Sequence, residues 1–277
     1  MSPAVLFIGG MDSSGGAGLM RDCATAQALG ATARSAVTAV TAQSDRAVSA
    51  LHPVPEDIVA AQIAAAADTG ADPVAAIKVG MLGSAGITRA VARTLARHLP
   101  DVPLVLDPVL CASSGRALID AEGIAAMLPL LVPRATLLTP NLPELRALCA
   151  PLGLPGETGE AEICAALLDL GCGAVLVKGG HAPQGPTSED RLYQRGYDLH
   201  RLSSARYPVA LRGTGCQLAS AVAVHLAGGR ALPAAVAKAK EMLDQRFRAA
   251  ATRGDGDPCA PQVAVPSRAA TASSPAG

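Results

Sequence analysis

Short apolar runs alternate along the chain with longer stretches whose apolar residues recur at helical spacing. The runs at 5–10, 75–81 and 174–180 are largely apolar at consecutive positions, which is typical of strands buried on both faces of a sheet. Such strands alternating with helices predict an α/β fold, with a central, mostly parallel sheet and helices on both faces. The predicted strands cover 5–10, 34–40, 75–81, 103–107, 135–140 and 174–180, and the predicted helices cover 16–29, 56–68, 86–99, 141–149, 159–170, 214–228 and 232–250.

The pattern changes in the last third of the chain. Between 187 and 209 the segments are shorter and more polar, which predicts a small antiparallel hairpin at an edge of the sheet. From 252 to 277 the chain is rich in Pro, Ala, Ser and Gly without periodicity, so this tail is expected to be disordered. We therefore expect a single folded domain over 1–251, followed by the tail.

The composition predicts a globular protein and disfavours several classes of partner. Of the 277 residues, 50% are hydrophobic and 17% are charged, which is enough apolar material for a substantial core. Lys plus Arg and Asp plus Glu both total 23, so no net positive charge attracts nucleic acid or an anionic membrane. No apolar run approaches the roughly 18 residues of a membrane helix. The seven cysteines form no CxxC pair and nothing at the amino end resembles a signal peptide, so we expect reduced thiols and a cytoplasmic location.

The segments that follow the predicted strands are rich in glycine, polar and ionisable residues. In parallel α/β sheets, ligands bind beyond the carboxyl ends of the strands, where the connecting loops meet. The candidate functional residues should therefore lie in these loops. The loops cover 9–18, 41–44, 80–82, 107–110, 139–144 and 178–181, together with 212–216 at the start of a late helix.

The segment RGTGC at 212–216 is a candidate anion hole. Glycines allow successive backbone amides to point at one spot, and the positive end of a helix dipole lies at the same place. The amides of Gly213, Thr214, Gly215 and Cys216 could stabilise the charge of a transferring phosphoryl group. The dipole is also expected to lower the pKa of the Cys216 thiol, which could then act as a base or nucleophile. The alternatives are a tight helix-entry turn and a buried, inert cysteine.

Three oxygen-bearing side chains and one lysine follow the strands near the middle of the chain. Asp107, Asn141 and Glu144 carry the oxygen ligands that magnesium prefers, although Asn141 and Glu144 could instead form a capping box at a helix start. Lys178 ends an apolar strand and precedes two glycines, a position that suits a phosphate better than a solvated surface charge. The chain has neither a G-x-x-x-x-G-K-[ST] loop nor a G-x-G-x-x-G turn after its first strand, so a P-loop or Rossmann enzyme does not fit.

Seven ordered segments resemble the hydroxymethylpyrimidine/phosphomethylpyrimidine kinase family of the ribokinase-like superfamily. The resemblance runs from about residue 4 to 250 and implies a ribokinase-like fold. It also implies a cytoplasmic homodimer that uses ATP and Mg²⁺ to phosphorylate 4-amino-5-hydroxymethyl-2-methylpyrimidine in thiamine biosynthesis. In many members a second transfer converts the monophosphate into the diphosphate. The segments are GGMDSSGGAG, AVTAQS, IKVGML, VLDPVLCASSG, LLTPNLPE, AVLVKGGH and RGTGC.

The resemblance further implies a role for each candidate site residue. The Gln43 amide suits its implied role physically, since it can both donate to and accept from the edge of an aminopyrimidine. Gly10, Asp12, Ala17, Gln43 and Met81 line the pyrimidine pocket; Asp107, Asn141 and Glu144 handle magnesium and phosphates, with Asp107 and Glu144 at the metal; Lys178 contacts the nucleotide phosphates; and Gly213, Thr214, Gly215 and Cys216 form the anion hole, where Cys216 activates the substrate hydroxyl.

The chain departs from the family pattern at several positions, which bear most on the second transfer. Arg212 stands where a histidine is common, and Ser113 stands where the family often has lysine. In the first loop, Met11 replaces a small hydroxyl residue, Ser13 replaces a proline, and Met20 and Arg21 replace a Gln-Ala pair.

Two other functions stay open at this point. A pyridoxal or pyridoxine kinase on the same fold would also act on a small heteroaromatic ring that carries a hydroxymethyl group. A non-catalytic relative that binds nucleotide or pyrimidine as a sensor would account for the altered first loop and tail. The presence of Asp107, Glu144, Lys178 and the RGTGC segment argues against the sensor.

Overall fold

A computed structural model describes residues 2–254 apart from residues 69, 71, 113 and 182–184. Within this part of the chain, nine strands form one sheet and are numbered here in chain order. Their order across the sheet is β3-β2-β1-β4-β5-β6-β7-β8-β9. The strands are β1 (Ala4–Asp12), β2 (Thr32–Gln43), β3 (Val48–Pro53), β4 (Val74–Val79), β5 (Leu104–Leu106), β6 (Leu137–Leu138), β7 (Ala174–Val177), β8 (Thr187–Gln194) and β9 (His200–Ala205).

The centre of the sheet is parallel and both of its edges are antiparallel. Strands β2, β1, β4, β5, β6 and β7 pair in parallel with their neighbours. Strand β3 runs antiparallel to β2 at one edge, and the β8–β9 hairpin continues antiparallel from β7 at the other. The mostly parallel sheet and the edge hairpin predicted for 187–209 are therefore confirmed.

Helices cover both faces of the sheet, as the alternating pattern predicts. Helices α2 to α6 cover one face, and their buried residues share a core cluster with Leu6 and Ile8 of β1. Helices α1, α7 and α8 cover the other face and pack in a second cluster with Val5 and Phe7. Alternate residues of β1 thus enter opposite cores, which explains why the run has no polar face. The helices are α1 (Gly18–Ala28), α2 (Glu56–Ala67), α3 (Ala85–His98), α4 (Ala121–Leu130), α5 (Leu142–Ala147), α6 (Glu160–Asp169), α7 (Thr214–Ala227) and α8 (Leu232–Arg253).

Two elements are absent from the sequence prediction. Strand β3 lies at the sheet edge and most of its residues are exposed or half-buried, so it has no continuous apolar run to mark it. Helix α4 contains Gly123 and Pro129 and has little polar surface, so helical periodicity is weak there. Helix α8 ends at Arg253, two residues inside the predicted tail, and residues 255–277 of that tail lie outside the described residues. None of the described helices is long and apolar enough to cross a membrane.

The carboxyl ends of the central strands meet along one edge of the sheet. Strand β1 lies between β2 and β4, where the strand order reverses, and such switch points form the ligand-binding crevices of α/β sheets. Backbone hydrogen bonds continue beyond the strand ends: the Asp107 amide donates to Val79, the Thr139 amide to Leu106 and the Lys178 amide to Pro140. These bonds hold the post-strand loops side by side.

Gly179, which follows β7, provides a stability test of this edge. A Cβ atom added there would overlap the backbone carbonyl of Glu189, whereas one added at Gly180 meets no atom within 4 Å. We expect Gly179→Ala to lower the free energy of unfolding by about 1–3 kcal/mol, because strand β8 would have to shift. The matched Gly180→Ala variant should stay within about 0.5 kcal/mol of the unsubstituted protein. Urea unfolding measures both, and equal effects would contradict the close packing at Gly179.

Candidate active site

Lys178 lies at the centre of a cluster of charged residues at the carboxyl edge of the sheet. Its ammonium nitrogen is 2.9 Å from Asp107 Oδ1 and 3.5 Å from Glu144 Oε2. The Thr139 hydroxyl donates to the same Asp107 oxygen at 3.0 Å. Residues that follow β5, β6 and β7 therefore converge on one point, as the sequence predicts from strand-end positions.

The two carboxylates of this cluster have opposite pKa shifts. Burial would raise the pKa of Asp107, but the ammonium groups of Lys178 and Lys78 outweigh it, so the pKa of Asp107 is lowered. Burial raises the pKa of Glu144; the nearby charge of Asp107 adds to this effect and Lys178 opposes it. Burial would lower the pKa of Lys178, but the two carboxylates outweigh it and raise that pKa. Lys178 is therefore a fixed positive charge at neutral pH.

Asn141 and Glu144 form the capping box that the sequence allows as an alternative role. Asn141 Oδ1 accepts from the Glu144 amide at 2.8 Å, and Glu144 Oε2 accepts from the Asn141 amide at 2.7 Å. The same Glu144 oxygen faces Lys178. The cap therefore orients Glu144 toward the charged cluster, so capping and a site role are compatible.

The amino end of α7 lies beside this cluster and beside the first loop. Gly213 is in the left-handed region with φ 67°, and a Cβ atom there would overlap the Gly16 carbonyl, so glycine is required. A Cβ atom on Gly215 would lie 3.2 Å from the Lys178 ammonium. Backbone amides and a lysine therefore converge, which is the arrangement that stabilises a phosphoryl group.

The expected lowering of the Cys216 pKa is wrong for the ligand-free protein. Burial raises the pKa of the Cys216 thiol to about 11, although Lys78 and the Gly18 amide act to lower it. Asp22 and Asp107 add to the increase. The loss of hydration on burial thus raises the pKa of Cys216 by more than the helix dipole lowers it. Cys216 is a neutral thiol at neutral pH in the absence of substrate.

A buried ion pair that the sequence pattern does not predict lies one helical turn from Cys216. Lys78 of β4 lies 3.0 Å from Asp22 Oδ2 of α1, and both side chains are only 1% exposed. Ser220 of α7 donates to Asp22 Oδ1 at 2.8 Å. Ser220 is four residues after Cys216, so the two share a helix face. A lysine inside the apolar run at 75–81 was the signal available in the sequence.

The residues assigned to the pyrimidine pocket occupy two neighbouring places. Met81 is buried with its sulfur against Gly10, since a Cβ atom on Gly10 would lie 2.6 Å from that sulfur, and Met81 shares an apolar cluster with Leu118. Gln43 lies in a small polar hollow that also contains Arg212. Gly10, Asp12, Ala17 and Met81 do not line this hollow, so the five residues do not share it. Ala17 precedes α1, and Asp12 ends β1.

Asp107 and Glu144 are the residues that could hold a magnesium ion. Both carboxylates contact the same ammonium group, so they face one point. Magnesium commonly takes one or two carboxylates together with waters and substrate phosphates, and this donor set fits that preference. Among the residues that the structure describes, no three His, Cys, Asp or Glu side chains converge on a metal position. An ion here would therefore share its coordination with phosphate oxygens.

Comparison with known proteins shows similarity over most of the chain. Residues 12–259 match a family model described as phosphomethylpyrimidine kinase. A hydroxymethylpyrimidine/phosphomethylpyrimidine kinase of Mycobacterium tuberculosis is 42% identical over 256 residues, which cover 92% of this chain and 91% of that protein.

Two solved structures are similar in both fold and sequence. A phosphomethylpyrimidine kinase from Clostridium difficile superposes with a TM-score of 0.75 at 30% identity and covers 88% of this chain and 99% of its own. A pyridoxal kinase from Staphylococcus aureus in complex with pyridoxal superposes with a TM-score of 0.78 at 29% identity and covers 90% of this chain and 89% of its own.

The raised pKa of Cys216 predicts slow alkylation of this thiol. In the ligand-free protein we expect its reaction with iodoacetamide to accelerate about tenfold per pH unit between pH 7 and 9, because only the thiolate reacts. Peptide mass spectrometry measures the rate at Cys216, with N-acetylcysteine in the same solution as a free thiol reference. A thiol with the ordinary pKa of 9.0 stops accelerating above pH 9, whereas one with a pKa of about 11 does not, so a Cys216 rate that levels off between pH 9 and 10 would contradict the raised pKa.

Proposed function

The chain belongs to the phosphomethylpyrimidine kinase family, and we propose that it transfers the terminal phosphoryl group of ATP to 4-amino-5-hydroxymethyl-2-methylpyrimidine, a step of thiamine biosynthesis. The fold is that of ribokinase-like kinases, as the resemblance implies. One observation carries the proposal: the Lys178 ammonium lies beside Gly215 at the amino end of α7 while it contacts Asp107 and Glu144. This arrangement suits the charge of a transferring phosphoryl group.

The proposed step is an in-line displacement at phosphorus. The oxygen of the hydroxymethyl group bonds to the terminal phosphorus while the bond from phosphorus to the bridging oxygen breaks, so ADP leaves. The amides of Gly213, Thr214, Gly215 and Cys216 and the charge of Lys178 stabilise the negative charge on the transferring group. The half-buried Cys216 thiol first gives its proton to solvent water, and the resulting thiolate then takes the proton of the substrate hydroxyl. Because the step needs no covalent bond to the protein, most of the rate enhancement comes from binding and positioning the two substrates.

The substrates and the metal are assigned from chemistry and from relatives. The use of ATP is supported by a related pyridoxal kinase that was solved with ADP and with a nucleotide analogue. We assign Asn141, Glu144 and Lys178 to contacts with the nucleotide phosphates, and a magnesium ion held by Asp107 and Glu144 would neutralise charge on them. Gly10, Ala17, Gln43 and Met81 are assigned to the pyrimidine. Asp12, which the resemblance also implies there, is not assigned to it, because its carboxylate already accepts four hydrogen bonds within the protein. A homodimer is expected from the family.

A pyridoxal kinase activity is the second candidate. It is favoured by the similarity to the Staphylococcus aureus enzyme in complex with pyridoxal, which is as close in fold as the pyrimidine kinase structure. Both rings carry the hydroxymethyl group that would lie next to the transferring phosphate at the amino end of α7. Discrimination between the two substrates must therefore come from the residues that contact the ring.

A direct substrate comparison tests the proposed function. We expect the purified protein with ATP and magnesium to phosphorylate hydroxymethylpyrimidine faster than pyridoxal, with products identified by mass spectrometry. The monophosphate is included as a third substrate, and its conversion to the diphosphate would add the second transfer. Turnover of pyridoxal alone would overturn the pyrimidine assignment, and tight ligand binding without turnover with any of the three would favour a sensor.

Lys178 is expected to act mainly on turnover. At saturating alcohol and ATP, Lys178→Met should lower kcat by about 10²–10³, because it removes a fixed positive charge from the transferring group. Lys238→Met is the matched control, since Lys238 is exposed and pairs with Glu241 in the same helix. Thermal unfolding establishes that both variants are folded. An unchanged kcat with a higher KM for ATP would restrict Lys178 to ground-state binding.

A further inference from the structure

Arg212 joins three parts of the candidate site through one side chain. It immediately precedes Gly213, and its guanidinium lies 3.3 Å from Asp12 Oδ2 and 2.6 Å from Asp45 Oδ1. It also donates to the Ser14 hydroxyl at 3.0 Å. Asp12 is the last residue of β1, Ser14 lies in the loop that follows it, and Asp45 follows β2. One cation therefore links both of these loops to the amino end of α7.

The Asp12 carboxylate uses all of its hydrogen-bonding capacity within the protein. Its Oδ1 accepts from the Ser14 amide at 2.9 Å and from the Ser14 hydroxyl at 2.8 Å. Its Oδ2 accepts from the Ala17 amide at 2.9 Å and from Arg212. A carboxylate has about four acceptor positions, so none is left for a ligand. Asp12 is thus occupied in holding its own loop in place.

The guanidinium of Arg212 is enclosed on most sides. Its side chain is only 6% exposed, and a Cβ atom on Gly16 would lie 2.8 Å from its Nη1. Arg246 of α8 donates to the Arg212 backbone carbonyl at 3.2 Å, which fixes the main chain at this point. By contrast, the Asp45 side chain is 62% exposed. Arg212 is therefore the fixed end of the bridge, and Asp45 is its exposed end. The Ser13 hydroxyl also joins the two loops, since it donates to the Gln43 carbonyl at 2.9 Å and accepts from the Gln43 amide at 2.8 Å.

We propose that Arg212 is a positioning residue. It holds the loops that follow β1 and β2, which we assign to the pyrimidine pocket, against the amino end of α7, where the phosphate is proposed to bind. The inference rests on the proposed function. Arginine carries five N–H donors in a fixed fork, so it can contact Asp12, Ser14 and Asp45 together. The histidine common at this position in the family has only two ring nitrogens and cannot form the same three contacts. The bridge sets the distance between the ring and the transferring phosphoryl group.

Kinetics of Arg212 variants separate positioning from general stability. We expect Arg212→Met to raise the KM for the alcohol about tenfold or more and to lower kcat, because the ring is no longer held at the reacting distance. The KM for ATP should change less than about twofold, since no nucleotide contact is assigned to Arg212. Arg212→Lys keeps the charge without the fork and should lie between Arg212→Met and the unsubstituted enzyme. Arg93→Met, on the exposed side of α3, is the control.

Amide hydrogen exchange of the ligand-free protein tests the bridge without any substrate. Arg212→Met should raise exchange in segments 12–17 and 43–47, and Arg93→Met should leave both unchanged. Unchanged exchange in Arg212→Met, or equal increases in the KM values for alcohol and ATP, would overturn the bridge. Failure of the unsubstituted protein to phosphorylate hydroxymethylpyrimidine would instead overturn the proposed function, and the exchange result would still decide whether the bridge exists.

Discussion

The buried pair of Lys78 and Asp22 is the interaction on which the geometry of the site depends. Two charges removed from water are tolerated only if they are paired and hydrogen-bonded, and this pair meets both conditions through Ser220. The two charged residues come from β4 and α1 and Ser220 comes from α7, so the cost of breaking these contacts resists relative movement of the three elements. The amino ends of α1 and α7 are consequently held over the carboxyl edge of the sheet, with Cys216 one turn above Ser220.

The second charged cluster follows the same physical rule at the carboxyl edge of the sheet, where Lys178 is 13% exposed. Lys178 contacts Asp107 and Glu144, and it lies beside Gly215 at the amino end of α7. The carboxylates keep the lysine charged and in place before a phosphate arrives. In the proposed reaction a phosphate oxygen would share the ammonium, and a divalent cation would take its place as the partner of the carboxylates. The Lys78–Asp22 pair therefore lies inside the frame, and the Lys178 cluster lies where the proposed chemistry takes place.

The residues differ in how far their roles could be predicted from sequence. The apolar runs predicted the central strands, because burial on both faces leaves a local pattern. The positions of Asp107, Glu144 and Lys178 just after those strands predicted that they meet, because parallel strands end at the same edge of a sheet. The pKa of Cys216 could not be predicted, since it depends on burial by segments distant in the chain. The partners of Arg212 lie as many as 200 residues away, and no spacing rule connects them. Long-range pairing of polar groups is thus the part that needs the folded structure.

The two ends of the site impose different constraints on the substrate. The phosphate end is built from backbone amides and lysine, which recognise charge and do not distinguish one small alcohol from another. This explains why one fold serves kinases of pyrimidine and of pyridoxal with nearly equal structural similarity. The ring end is built from Met81, Gln43 and the loops joined by Arg212, whose shape depends on individual side chains. If the proposed site is correct, the choice between the two alcohols must therefore be made by the residues around the ring.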